Sequence, residues 1–346
     1  MHGRSHPPLV SVVILSWMRR EELRLTLGHL ESSTYTAFET LVVDNASTDG
    51  SPEMVAQDFP RVRLISLAKN TGIAGLNTGM RAAHGKYVIL LDDDSHVGGP
   101  TVERMVERFE ADPGLGIAAF TIINPVAKTV DWPGPGDVHP DGSAPTFVGC
   151  GAGLRLDAVQ RAGHFESGYF LYLNELYLTA RILDLGYSCR HFPELQAFHR
   201  VAPAHRSQVR RAYYGTRNML WFASAMFRPA HGAAFSAIMV AEGVAYRLRR
   251  GRTAELSSFL AGAKDGLREF ARGGERKPLA PATLEELEPY FAKWYPGAWK
   301  VLKLLAGYGN SNRTGGWILT HLRERNSPGS PQLTRRQGST KLTIFF

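Results

Sequence analysis

Three consecutive carboxylates, Asp92, Asp93 and Asp94, are the residues of this sequence most able to do chemistry. They follow the apolar stretch 87–91, which predicts a buried central strand. Carboxylates at the end of a buried strand need a cation or hydrogen bonds, and ligands of open α/β sheets bind at that end. We therefore interpret Asp92 and Asp94 as ligands of Mg²⁺ or Mn²⁺, which prefer oxygen. The alternative is a polar turn that caps the next helix.

Alternating strands and helices must position this cluster. Apolar runs predict strands at 10–16, 39–44, 62–67, 87–91, 116–123 and 146–156, with two short strands at 187–192 and 195–199. Periodic apolar residues predict helices at 20–31, 52–58, 74–83, 101–110 and 174–185. This order predicts an α/β fold with a mostly parallel sheet and right-handed crossovers.

Two later regions differ from this pattern. Residues 124–145 are rich in Pro and Gly and predict a long loop, in which Trp132 either stacks on a sugar or pins the loop. The last third of the sequence predicts helices at 208–227, 231–249, 255–271 and 283–306, with a linker at 272–281. We expect three parts: an α/β domain at 1–204, a helical and membrane-proximal or partner-binding region at 205–325, and a disordered tail at 326–346.

Charge is concentrated in one segment. The net charge is +8, but residues 200–252 contain ten arginines and a single acid, Glu242. Arginine suits phosphate and carboxylate, so the segment predicts an anionic partner such as a pyrophosphate, a nucleotide or an anionic membrane surface. The alternative is a solvated basic helix face. We expect no nucleic-acid partner, because the segment lacks exposed aromatic residues interleaved in a recognisable motif.

Other features bear on the cellular environment. The first ten residues lack the apolar region of a signal peptide, and the longest apolar run of the second half is too short for a bilayer span. The two cysteines, Cys150 and Cys189, suggest neither a disulfide framework nor a zinc site. We expect a cytoplasmic protein, with contact to the inner face of the membrane as an option.

Six segments, in order, resemble one known family. They are Ser16-Trp17 with Arg19, VVDNASTDGS at 42–51, the block at 70–94, FLYLNELYLTARILDLGY at 170–187, FHR at 198–200, and Arg217-Asn218. Together they resemble the family 2 glycosyltransferases, nucleotide-sugar-dependent enzymes of the GT-A fold, and within them the bacterial rhamnosyltransferase-like subgroup. The resemblance implies a Rossmann-like, mostly parallel sheet flanked by helices, followed by a C-terminal helical region.

The resemblance also implies roles for the carboxylate cluster. Asp94 would bind the metal, Asp92 would bind the metal or the nucleotide ribose, and Asp93 would lie nearer the transferred sugar. His199 would be a further metal ligand or a contact to the diphosphate. A histidine at a strand end can equally be structural.

The nucleotide would be held by residues of the turns around the cluster. The resemblance assigns this function to Ser16, Asp44, Asn45, Asn70, Gly72 and Asn77. Most of these residues also form turns without a ligand, and Asn77 could be a residue of the helix surface.

The base helix departs from the family pattern. The family usually has a Glu-Asp pair where this sequence has Asn174-Glu175, so the catalytic base carries over to Glu175. A further family acid corresponds to Tyr177. The alternative for Glu175 is an acid that the helix dipole favours. Cys150 and Gly151 lie in a small-residue loop that would approach the transferred sugar, although tight packing would also explain such residues.

These roles imply an inverting, metal-assisted single displacement. A hexose or deoxyhexose would move from a UDP- or dTDP-sugar to an acceptor hydroxyl, the acceptor being a lipid pyrophosphate-linked glycan or a small metabolite. The alternative is a catalytically inactive nucleotide-sugar-binding scaffold of the same fold. A sugar-nucleotide pyrophosphorylase is disfavoured, because no Gly-rich loop with Arg and Lys follows the first strand.

Overall fold

A computed structural model gives the structure of the chain and describes residues 8–31, 33–200, 207–272 and 276–306. The tail predicted at 326–346 lies outside the described residues, and so does the boundary predicted at 204. Within the described ranges, none of the helices combines the length and apolarity that crossing a membrane requires.

The described strands form one sheet. They are β1 Val10–Ser16, β2 Phe38–Asp44, β3 Arg63–Ser66, β4 Tyr87–Asp92, β5 Ser95–Val97, β6 Leu115–Asn124, β7 Thr129–Trp132, β8 Ala152–Arg155 and β9 Ser188–His199. Their order is β3-β2-β1-β4-β8-β6-β9-β5, with β7 paired to β6. Strands β1 to β4 run parallel, β8 is antiparallel to both β4 and β6, and β9 is parallel to β6. The predicted α/β class is confirmed.

Helices cover the sheet and continue the chain beyond it. Those of the sheet region are α1 Arg20–Glu31, α2 Ser51–Asp58, α3 Leu76–Ala82, α4 Thr101–Ala111, α5 Leu156–Ala162 and α6 Asn174–Asp184. Those of the C-terminal region are α7 Gln208–Met226, α8 Pro229–Arg249, α9 Thr253–Arg272, α10 Pro281–Glu286, α11 Glu288–Trp294 and α12 Pro296–Ala306. Short 3-10 helices lie at Gly72–Gly75 and Ser167–Tyr169.

Three predicted elements are wrong in detail. The two short strands predicted at 187–199 are one strand, β9, whose pairing with β6 is irregular between Phe192 and Gln196. The helix predicted at 283–306 is three short helices, because Pro289 and Pro296 each lie in the first turn of a new helix. The loop predicted at 124–145 contains β7, which forms an antiparallel pair with β6.

Trp132 ends β7 and pins this hairpin. Its side chain is buried and packs edge-to-face on His191 of β9, with ring centroids 5.3 Å apart. Of the two alternatives for Trp132, this contact supports packing.

The C-terminal helices share a second apolar core with α6. Leu176 and Ala180 of α6 pack with Phe222 of α7, Phe235 of α8 and Phe291 of α11. Burying side chains of this size contributes roughly 1.5–3 kcal/mol each to folding. The helix that carries Glu175 is therefore held against the helical region as well as against the sheet.

Candidate active site

The carboxylate cluster lies where the parallel strands end together. Asp92 of β4 lies opposite Leu15 of β1, and Ser16 of β1 lies opposite Asp44 of β2. The carboxyl ends of three adjacent strands thus meet at one edge of the sheet, the position at which ligands bind in this class of fold.

Asp93 and Asp94 are buried and already have partners. Asp94 forms ion pairs with Arg19 and with His199, whose Nε2 lies 3.0 Å from the carboxylate. Asp93 accepts a hydrogen bond from the backbone N–H of Trp17 at 3.2 Å, and its carboxylate lies 3.5 Å from the Arg19 guanidinium. Arg19 was part of the family resemblance, but the sequence alone did not assign it this function.

The three carboxylates differ in pKa. Burial and the neighbouring Asp94 charge raise the pKa of Asp92 to about 6, against the opposing effects of His199 and Arg19. Burial likewise raises the pKa of Asp93 to about 7. For Asp94, the hydrogen bond and charge of His199, with Arg19, outweigh burial and lower its pKa. Burial thus disfavours the charged forms of Asp92 and Asp93, and a bound cation would favour them.

Three potential ligand atoms converge beside the cluster. Those of Asp92, Cys150 and His199 all lie within 4.8 Å of one another. Carboxylate and imidazole suit Mn²⁺ or Mg²⁺, whereas a thiol is a softer ligand than these metals prefer. The carboxylate and imidazole of this group therefore fit a divalent cation, while the thiol fits it less well. The geometric group contains Cys150, whereas the predicted metal set contained Asp94.

The neighbours of His199 favour its protonated form. Burial lowers its pKa, but hydrogen bonds to Asp94 and Cys150 outweigh this effect and raise the pKa to about 11. A protonated imidazole cannot ligate a metal, so metal binding would require His199 to release its proton. As a cation, His199 is instead suited to an anionic ligand group. Burial raises the pKa of the Cys150 thiol.

Asn45 joins the two predicted nucleotide turns. Its Nδ2 donates to the carbonyl of Gly72 at 3.0 Å, and its Oδ1 accepts from the backbone N–H of Thr71 at 2.8 Å. Asn70 accepts from the N–H of Gly72 at 2.8 Å, and Asp44 accepts from the N–H of Ser47. The turns are thus held by their own side chains.

Ser16 differs from these turn residues. Its hydroxyl is buried and makes no hydrogen bond in the described structure. A buried hydroxyl without a hydrogen-bond partner costs folding free energy. This one lies at the carboxyl end of β1, opposite Asp44 of β2. This is the property expected of a group that a ligand satisfies.

Asn77 is buried rather than on the helix surface, so the alternative offered for it is wrong. Its side chain donates to the carbonyl of Phe165 at 2.9 Å and accepts from the N–H of the same residue at 3.0 Å. These two bonds tie α3 to the segment that leads towards α6. A contact from Asn77 to a nucleotide stays a prediction.

Gly72 is where the nucleotide turn meets the segment before α6. Its φ is +64°, and a Cβ there would lie 2.0 Å from the carbonyl oxygen of Phe170. We expect Gly72→Ala to reduce the free energy of unfolding by about 1–2 kcal/mol for the left-handed backbone, and by about 1–3 kcal/mol more for the clash. Urea denaturation measures both contributions.

Gly163→Ala is the matched control for this prediction. Gly163 also has a positive φ, +92°, but no atom lies within 4 Å of the position that a Cβ would take there. It should therefore show the backbone cost alone. Equal losses in the two variants would contradict a close approach of Phe170 to Gly72.

Glu175 lies in the first turn of α6, close to the carboxylate cluster. Burial and the negative charge of Asp92 raise its pKa to about 7, although hydrogen bonds from the backbone N–H groups of Glu175 and Gly149 oppose the shift. A Cβ on Gly149 would lie 2.9 Å from Glu175 Oε1. Asp92 and Glu175 are far apart in the sequence, but the fold brings them close enough for the charge of Asp92 to act on the Glu175 carboxyl.

The small-residue loop has a packing function. A Cβ on Gly151 would lie 2.5 Å from Cβ of Ala197 and 2.7 Å from Cδ1 of Ile122. Close packing of β6 and β9 therefore explains Gly151, while contact of Cys150 and Gly151 with a sugar stays a prediction.

Arg200 holds residues next to the carboxylate cluster in place. Its position in the basic segment did not predict this function. Its guanidinium donates hydrogen bonds to the carboxylate of Glu22 at 2.8 Å and to the hydroxyl of Thr26 at 2.8 Å. The backbone N–H of Arg200 donates to the backbone carbonyl of Asp94 at 2.9 Å. This arginine is thus used in structure and is not part of a solvated basic face.

Residues 11–163 match the family described as Glycosyl transferase family 2. The chain is 34% identical over 106 residues to Succinoglycan biosynthesis protein ExoO of Rhizobium meliloti, covering 30% of each chain. It is 26% identical over 152 residues to Putative teichuronic acid biosynthesis glycosyltransferase TuaG of Bacillus subtilis, covering 41% of this chain and 60% of TuaG. The aligned segments thus span less than two thirds of these relatives.

Solved structures show the same fold. Mannosyltransferase PcManGT from Pyrobaculum calidifontis, in complex with GDP-Man and Mn²⁺, superposes with a TM-score of 0.55 at 23% identity, covering 87% of this chain and 85% of that one. S. aureus TarS 1-349 superposes with a TM-score of 0.53 at 14% identity, covering 88% and 93%. The expected GT-A fold with a C-terminal helical region is confirmed. The rhamnosyltransferase-like subgroup stays a prediction.

Proposed function

We propose that this chain is a glycosyltransferase that moves a hexose or deoxyhexose from a UDP- or dTDP-sugar to an acceptor hydroxyl, with inversion. The observation that carries the proposal is the placement of Glu175, with a pKa of about 7, beside the strand-end carboxylates. The match of residues 11–163 to Glycosyl transferase family 2 supports it.

The leaving group of this reaction is a nucleoside diphosphate, whose negative charge must be stabilised. Asp92, Asp94 and His199 would hold a divalent cation, Mg²⁺ or Mn²⁺, which would supply positive charge to the diphosphate. Arg19 offers further positive charge at the same place. PcManGT, solved with GDP-Man and Mn²⁺, supports metal use in this fold.

The donor nucleotide would lie along the strand ends. The unpartnered hydroxyl of Ser16 supports a contact with the nucleotide. Asp44, Asn45, Asn70 and Gly72 would shape the turns that receive its base and ribose, and Asp93 and Gly151 would face the sugar.

Glu175 would remove the proton from the acceptor hydroxyl. A general base works best when its pKa lies near the working pH, and the pKa of Glu175 meets this condition. Attack on the side of the anomeric carbon opposite the leaving group inverts its configuration. The same features favour catalysis over the alternative of an inactive scaffold, because carboxylates with strongly shifted pKa values cluster at catalytic sites.

The acceptor would bind between α6 and the helical region. The guanidinium of Arg211 on α7 lies over the ring of Tyr172, with 5.5 Å from Cζ to the centroid, just before the base helix. A cation beside the base supports an anionic acceptor, such as a lipid pyrophosphate-linked glycan or a phosphorylated metabolite. The exposed Leu248, next to the exposed Arg249 and Arg250 at the end of α8, supports peripheral contact with an anionic cytoplasmic membrane surface.

Calorimetric titration with UDP, dTDP and GDP, each with and without Mn²⁺, tests the donor proposal. GDP belongs in the set because PcManGT was solved with GDP-Man. We expect metal-dependent binding of UDP or dTDP. Preference for GDP would contradict the proposed uracil or thymine nucleotide. Equal binding without metal would contradict metal assistance. No binding by folded protein would contradict the donor site. A screen of the matching sugars with hydroxyl acceptors then tests transfer and excludes the scaffold alternative.

A further inference from the structure

The segment before α6 has an unusual backbone. Phe170 has φ 58° and ψ −55°, and the N–H of Leu171 donates to the carbonyl of Tyr169 at 2.6 Å, which makes a γ-turn of the rarer, positive-φ type. Tyr172 and Leu173 follow with φ of 66° and 64°. Non-glycine residues keep such conformations only where the surroundings enforce them. Segment 168–173 therefore needs an external support.

Asn218 of α7 supplies this support. Its side chain is fully buried, and its Nδ2 lies within hydrogen-bond distance of three carbonyl oxygens, those of Tyr169 (3.0 Å), Leu171 (2.7 Å) and Tyr172 (2.9 Å). One amide thus satisfies the carbonyls on both sides of the γ-turn.

Arg217 adds to the support from the same turn of α7. Its Nη2 donates to the carbonyls of Gly168 at 2.7 Å and Tyr169 at 2.8 Å, and its Nε donates to Oδ1 of Asn218 at 2.9 Å. The guanidinium lies over the ring of Trp221, 4.7 Å from its centroid. Because Arg217 bonds Oδ1, the Nδ2 of Asn218 must face the segment.

Segment 168–173 contacts both halves of the candidate site. The carbonyl of Phe170 accepts from the N–H of Ile73, next to Gly72 in the nucleotide turn, at 2.8 Å. At its other end, Leu173 leads directly into α6, and its carbonyl accepts from the N–H of Tyr177 at 3.0 Å. A shift of the segment would therefore move the first turn of α6, and Glu175 with it.

We propose that Asn218 is a positioning residue which, together with Arg217, holds segment 168–173 in the conformation that aims Glu175 at the acceptor hydroxyl. This inference rests on the proposed function for its kinetic consequence. The helical region thereby contributes to the reaction geometry through α7, in addition to any contact with the acceptor.

Two measurements on Asn218→Ala, Arg217→Gln and Ser236→Ala test the inference. Ser236 is the control, because it is a buried polar residue of α8 whose hydroxyl makes no hydrogen bond in the described structure. Hydrogen exchange of the amides of 168–177 reports on the segment itself. Transfer kinetics at saturating acceptor report on Glu175, because misplacement by an ångström costs about 100-fold in rate.

We expect Asn218→Ala to accelerate exchange in 168–177 and to lower kcat by about 100-fold, with a smaller change in the donor KM transmitted by the contact of Phe170 with Ile73. Arg217→Gln, which leaves Asn218 in place, should give the same pattern at about 10-fold, and it decides the matter if Asn218→Ala does not fold. Ser236→Ala should change neither measurement.

Unchanged exchange and kcat in both α7 variants would overturn the inference. A raised donor KM with an unchanged kcat would also overturn the inference, because that pattern places the effect on donor binding. A parent protein without transfer activity would contradict the proposed function instead, and the exchange data alone would then decide whether α7 holds the segment.

Discussion

Glu175→Gln should lower kcat by about 1,000-fold, because general base catalysis contributes about 10²–10⁴-fold to a rate. The amide has nearly the shape of the carboxylate but cannot accept the acceptor's proton. Nucleotide binding should be unchanged, since Glu175 lies on the acceptor side of the proposed reaction. Initial rates of sugar transfer, together with calorimetric titration of the nucleotide, measure the two effects separately.

The pH dependence offers an independent check on Glu175. Its carboxylate is protonated below its pKa of about 7, so kcat of the parent should fall about tenfold per pH unit below that value. The residual rate of Glu175→Gln should lack this dependence. Glu103→Gln, which changes an exposed glutamate of α4, is the control and should behave as the parent does. Near-full transfer by Glu175→Gln would show that another group is the base.

The strands of the sheet were predictable because their signal is local. β1 and β4 are continuous apolar runs that end in polar residues, and both are buried along almost their whole length. Burial on both faces of a parallel sheet selects such runs. The carboxylates at the end of β4 were predictable for the same reason, since a strand end in this class of fold marks the ligand edge.

The errors fall where local signals compete. The helical period of 283–306 continues across Pro289 and Pro296. Proline is also common in the first turn of a helix, and each of these two prolines lies where a new helix begins. Similarly, β7 is a short edge strand inside a segment whose Pro and Gly content indicates a loop. Pairing with β6, which the segment's own composition does not encode, decides its conformation.

The partners within the site were not predictable because they are distant in the sequence. Asn45 is a residue type that forms turns, yet its side chain bonds Thr71 and Gly72 of the next turn. Cys150 lies among small residues that suggest packing, and only the sheet brings its sulfur near His199. Family resemblance could assign functions to these positions, but it could not show which atoms already satisfy one another.

Asp94→Ala should abolish the metal-dependent part of nucleotide binding. Asp94 keeps its charge at neutral pH because His199 and Arg19 lower its pKa, so it is in the ionised form that a metal ligand needs. In its absence, we expect the affinity with Mn²⁺ to fall by about 100-fold, to the value measured without metal. Titrations of UDP and dTDP with and without Mn²⁺ measure the difference.

Loss of Asp94 also removes the ion-pair partner of His199 and the nearer of the two carboxylates that face Arg19. Removing one member of a buried pair costs about 3–5 kcal/mol in the free energy of unfolding. Asp94→Asn keeps the shape of the side chain, should disturb folding less, and should bind nucleotide in the same metal-independent way. Asp58→Asn, which removes a surface partner of Arg24, should cost no more than about 1 kcal/mol and leave binding unchanged. If folded Asp94→Asn bound nucleotide with Mn²⁺ as tightly as the parent, the cation would be held without Asp94, and the converging atoms of Asp92, Cys150 and His199 would be the remaining ligand set.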